Sequence, residues 1–161
     1  MSCNKYQPHL LILPEDDANR ELANGFITEV ASRKIQVLTP ARGWSAVRDQ
    51  LVRDHLAELR KYQFRHMVLL LDFDNNIDQR TETIAEAIPD EVKSRLFLLG
   101  VRSEPEALRT ALASSYEQIG RKMAQECRED SQQVWAHGLL QHNLPELARL
   151  SSAVRAFLFD L

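Results

Sequence analysis

Two apolar runs in this chain end in carboxylates. Leu10-Leu11-Ile12-Leu13-Pro14 is followed by Glu15-Asp16-Asp17, and Met67-Val68-Leu69-Leu70-Leu71 by Asp72-Phe73-Asp74. A short apolar run closed by acids reads as a buried parallel strand that delivers carboxylates to the open end of a sheet, where ligands bind. Two such strands side by side bring like charges together, and that is costly unless a cation joins them. Mg²⁺ and Mn²⁺ take oxygen ligands, and Mg²⁺ usually binds one or two carboxylates and keeps several waters. Glu15, Asp72 and Asp74 are the candidate ligands and catalytic residues, with Asp16 and Glu104 as further candidate ligands. Each outer candidate has a plainer role. Asp16 and Asp17 suit the N-terminus of the next helix, and Glu104 and Glu106 suit the first turn of a later one.

The elements that must position these acids alternate. Strands are expected at His9 to Pro14, Ile35 to Leu38, Arg65 to Asp72 and Leu96 to Val101. Between them the apolar spacing predicts helices over Ala18 to Arg33, Trp44 to Tyr62 and Asp78 to Ile88. Ser103 is placed to cap a helix entered through Glu104-Pro105, with a break near Ser114-Ser115. Further helices are expected at Val134 to Leu140 and at Pro145 to Phe159. The prediction is an α/β fold: a four-stranded, mainly parallel sheet with helices on both faces and a C-terminal helical extension. The first and third strands must be neighbours if their acids are to share an ion. One domain spans 1–161, with its core in 9–113 and the extension in 114–161. Trp135, Leu139, Leu140, Leu147, Leu150, Val154, Phe157 and Leu158 require that extension to pack on the same core.

Bulk properties narrow the function classes. A chain of 161 residues with 44% hydrophobic and 27% charged residues is ordinary for a globular domain. A net charge of −3 supplies no global attraction for nucleic acid, though it allows a local basic groove. Cys3 and Cys127 have no metal-ligand spacing and read as free thiols. The opening Met1 to Tyr6 has no signal-like apolar stretch, and no run is long enough to span a membrane, so the expectation is cytoplasmic, without membrane contact. Phosphate-cradling glycine motifs and a serine nucleophile elbow are absent. His137, His142 and Asn143 read as a helix end, and Arg60, Lys61, Arg65 and His66 as a solvated basic stretch.

The layout over residues 9 to 113 resembles the Toprim fold of topoisomerases, primases and overcoming-lysogenization-defect nucleases. That family places a glutamate after the first strand, where Glu15 stands, and an Asp-x-Asp after the third, where Asp72 and Asp74 stand. The resemblance implies Mg or Mn held by these acids for phosphodiester hydrolysis of nucleic acid. Departures are Asp16 where the family often has glycine, and Asn75-Asn76 where it has a glycine-containing turn. No tyrosine nucleophile module or zinc segment accompanies the core, so a small stand-alone Toprim-like protein is the closer match. A second resemblance is to two-component receiver domains, through Leu11 to Leu22 with its acidic pair and a phosphoacceptor at Asp72 or Asp74. The lysine expected after the late strand is missing, with only Arg102 there. Haloacid-dehalogenase phosphatases, with their Asp-x-Asp, rank third, because Asn76 stands where they carry threonine or valine. The alternative function is therefore a non-catalytic, receiver-like or degenerate Toprim-like domain that regulates or binds a protein partner.

Overall fold

Strand β1 (His9–Pro14) is buried along its whole length, and β3 (Arg65–Asp72) along nearly all of it. Their side chains alternate between two cores. Leu10, Ile12, Val68 and Leu70 face one, while Leu11, Leu13, Met67, Leu69 and Leu71 face the other. Strands apolar on both faces must be covered on both faces. The computed structural model describes residues 2–31 and 33–161; Met1 and Ser32 lie outside the described residues.

The sheet is four-stranded and all-parallel, in the order β2-β1-β3-β4, with β2 at Ile35–Val37 and β4 at Leu96–Val101. β1 and β3 are neighbours, paired from His9 with Arg65 to Pro14 with Leu70. One layer holds α1 (Asp17–Ile27), α5 (Pro105–Leu112), α6 (Tyr116–Glu129) and α7 (Leu144–Phe159). The other holds α2 (Trp44–Gln50), α3 (Leu56–Lys61) and α4 (Ile77–Ala85). The expected α/β fold is present, and the C-terminal helices share the first core, with Trp135, Leu147 and Val154 inside it. Among the described residues no helix is long and apolar enough to cross a membrane.

Several boundaries differ from expectation. The first helix ends at Ile27, not Arg33, because Thr28 Oγ1 donates to the Gly25 carbonyl at 2.6 Å and takes it from the ladder. The Trp44 to Tyr62 helix is interrupted by a π turn at Leu51–His55. The helix predicted over Asp78 to Ile88 ends at Ala85, before Pro89. Glu104, not Ser103, stands at the N-cap of α5. The break at Ser114-Ser115 is real: Ser115 and Gln118 form a reciprocal capping box that starts α6.

Residues Val134 to Leu140 form turns, not the expected helix. Glu126, 8% exposed, draws their backbone elsewhere. Its carboxylate accepts from Val134 N at 3.0 and 2.8 Å and from Trp135 N at 3.2 Å. Glu126→Ala leaves those amides buried without a partner. The expected result is a loss of about 3 kcal/mol, with fast amide exchange at Val134 and Trp135. Unchanged melting and exchange would show that the latch carries no stability.

The chain from Leu139 to Glu146 closes the outer edge of β4. Glu146 Oε2 accepts from Leu98 N at 2.9 Å, and the Leu139 carbonyl from Arg102 N at 2.8 Å. Between them the buried Asn143 carboxamide pairs with both backbone groups of Gly100, at 3.1 and 2.8 Å. Within the first layer, α1 and α6 touch backbone to backbone. A Cβ on Gly25 would lie 2.1 Å from the Glu117 carbonyl oxygen, and one on Gly120 1.9 Å from that of Leu22.

Candidate functional site

After β1 the chain moves outward to β2, then returns across β1 to form β3. The strand order therefore reverses between β1 and β3, and in open parallel sheets the ligand crevice opens at the carboxyl ends of the strands at such a switch point. Glu15 and Asp16 leave β1 there, and Asp72 ends β3 beside them. At the opposite end the same strands carry a structural polar network. Buried His9 accepts from Arg65 Nε at 3.0 Å, and Arg65 reaches Glu58.

Glu15 Oε2 accepts from the backbone N–H of Asp72 at 2.7 Å, tying the two strand ends together. Asp16 is the N-cap of α1, its Oδ1 accepting from Asn19 N at 2.9 Å. The Asn19 side chain is fully buried. Its Nδ2 donates to Asp16 Oδ1 at 3.0 Å and to Asp72 Oδ1 at 2.7 Å, while its Oδ1 has no partner. Burial raises the Asp72 carboxyl to about 8; Asp16 and Glu15 push the same way, against the Asn19 hydrogen bond. Burial likewise raises Glu15, opposed by the Asp72 amide.

The other candidates lie outside this trio. The chain turns after Asp72, and Asp74 and Asn75 both adopt left-handed backbone, φ 49° and 60°. Aspartate and asparagine tolerate that region, so Asn75 serves without a glycine. The N–H groups of Phe73, Asp74 and Asn75 bond to the carbonyls of Val101, Ser103 and Arg102, clamping this turn to the end of β4. Phe73 is buried and meets the His142 ring edge-on at 5.2 Å. Asp74 turns to solvent and to Arg80, 3.7 Å away. Glu104 is exposed at the start of α5. Asp17 is spent on Arg20 and Arg42, at 3.1 and 3.0 Å.

Sequence reasoning missed two residues. Asn19 carried a faint signal, three residues after the capping Asp16. Arg80 carried none. Its guanidinium lies 5.1 Å from the centre of the Trp44 ring and donates to the Asp72 carbonyl. That makes a fixed positive charge beside the acids.

The donor set of Glu15, Asp16 and Asp72 is hard oxygen and suits Mg²⁺ or Mn²⁺ in kind. Among the described residues no three His, Cys, Asp or Glu side chains stand close enough to hold an ion as they are. The unpartnered Asn19 Oδ1 is a further oxygen at the same place. Comparisons with family models, with curated proteins and with solved structures find no match.

Proposed function

We propose that this domain hydrolyses phosphodiester bonds of nucleic acid with a divalent ion, Mg or Mn, at the β1–β3 switch point. The observation that supports it is the convergence there of Glu15, Asp16 and Asp72 around a buried amide, with Asp72 held up to about 8. Such crowding opposes folding, and a cation relieves it. Glu15, Asp16 and Asp72 would hold the ion, with Asp74 beside them on a turn that Arg80 restrains. When bound, the ion supplies charge neutralisation and an acidified water. Glu15, raised by burial, is placed to hold or take a proton beside Asp72. Arg80, pinned on Trp44, offers a fixed cation to phosphoryl oxygens.

Incubation with single- and double-stranded DNA and RNA tests this. Cleavage is expected with Mn²⁺ or Mg²⁺ and not with a chelator. Asp72→Ala and Glu15→Gln should each lower it by about 100-fold or more. Cleavage that survives Asp72→Ala would remove the site from the chemistry.

A second reading, a regulatory or partner-binding domain, draws on the same amide. Asn19 already satisfies Asp16 and Asp72, as a site that has lost its ion would require. Under that reading millimolar Mn²⁺ leaves the melting temperature unchanged, whereas an ion that binds only the native state raises it.

A further inference from the structure

Asn19 is built into the site at a cost. Its Oδ1 is buried without a partner, and an unsatisfied buried polar group costs about 1–3 kcal/mol. Helix capping does not demand this side chain, because Asp16 caps α1 through the Asn19 backbone N–H. The side chain serves Asp16 and Asp72. An N–H donor set between two carboxylates does part of what a cation does there.

The spacing supports an exchange between the two. Nδ2 lies 3.0 Å from the Asp16 oxygen and 2.7 Å from the Asp72 oxygen. Neighbouring oxygens on an octahedral Mg²⁺ shell of about 2.1 Å radius sit about 3 Å apart. A half-turn of the carboxamide exchanges Nδ2 for Oδ1 at that position and leaves the backbone in place.

We infer that Asn19 is a switching ligand: its Nδ2 bridges Asp16 and Asp72 when no ion is held, and its Oδ1 joins those carboxylates on a divalent cation. The inference rests on the metal reading above and deepens it. The amide competes with the ion, so the acids are never left facing one another, and the third oxygen donor adds no charge. The orphan oxygen gains its partner only in the loaded state, and there the Nδ2–H groups give theirs up.

Mn²⁺ affinity, measured by electron paramagnetic resonance on the whole chain, separates the outcomes. Asn19→Leu should weaken Mn²⁺ by about tenfold or more. Asn19→Asp should hold Mn²⁺ at least as tightly as wild type while melting lower without metal. In ¹⁵N-labelled wild type, the Asn19 Nδ2–H signals should shift saturably as Mg²⁺ is added. If Asn19→Leu binds Mn²⁺ like wild type, Asn19 is a structural bridge and only this inference falls. If that variant does not fold, unmoved Asn19 signals at saturating Mg²⁺ overturn it equally. If wild type binds no Mn²⁺, the metal reading falls and this one falls with it.

Discussion

Gly120→Ala lowers the stability of this protein by about 3 kcal/mol, at the upper end of the overpacking range. Helix propensity argues the other way, since alanine is favoured over glycine inside a helix by about 1 kcal/mol. Contact decides the sign. The new methyl would lie 1.9 Å from the Leu22 carbonyl oxygen and 3.0 Å from Phe26 N, both backbone atoms of α1. Rigid backbone does not yield as a side-chain tip does, so α1 and α6 must part. Gly25→Ala meets the mirror contact at the Glu117 carbonyl. The double variant should cost less than the sum, because one separation relieves both contacts. Gly138→Ala is the control: its added carbon meets nothing within 4 Å, and melting should stay level or rise slightly. Thermal melts of the four variants against wild type check this, and a stabilised Gly120→Ala would refute the close crossing. Since α1 is capped by Asp16 and carries Asn19, separation should also loosen the Asn19 bridge to Asp72.

Raising the pH from 7 to 9 destabilises the wild type more steeply than Asp72→Asn; below 7, His9, His55, His66 and His142, all held down by burial, act in both proteins alike and in the opposite direction. The sign follows from linkage. The folded-state Asp72 value of about 8 lies above its ordinary 3.8, so the native state keeps a proton that the unfolded chain releases. The stabilisation is full below the ordinary value and is lost as pH climbs through about 8. Glu15, raised by burial, adds to the same trend. Asparagine at 72 stays neutral and still accepts from Asn19, so the variant should be more stable near pH 8 by about 2 kcal/mol after solvent screening. Melting temperatures of both proteins across pH 5 to 9, without metal, measure it. A wild type that loses no more stability than Asp72→Asn between pH 7 and 9 would show that Asp72 ionises freely.

The strands were legible because burial on both faces makes an uninterrupted apolar run, and β1, β3 and β4 lie where those runs were read. Glu15, Asp16 and Asp72 were legible for the same reason: acids that stop such runs must sit at the strand ends. Asp74, two residues beyond Asp72, read as an equal candidate ligand. The strand stops at Asp72, and the left-handed pair Asp74 and Asn75 sets the second carboxylate on an exposed turn near Arg80, from which it still pushes Glu15 up. Asn19 was hidden because a polar residue between Ala18 and Arg20 looks like any first-turn position. Only the fold brings β3 beside it. Val134 to Leu140 has helical apolar spacing, but its amides are claimed by a side chain on α6, and local pattern cannot show that.

The closed edge of β4 gives the sheet a growing side and a dead side. Leu98, Gly100 and Arg102 have already spent their outward N–H groups on Glu146, Asn143 and Leu139. A strand donated by another molecule therefore finds no template there, and must pair with the three residues of β2, Ile35–Val37. So short an edge resists edge-to-edge aggregation. Cutting the chain before Leu139 would reverse this, exposing the six-residue, largely buried strand Leu96–Val101 as an adhesive border. The C-terminal segment thus acts as a solubility device, holding apart copies whose sheets would otherwise fuse.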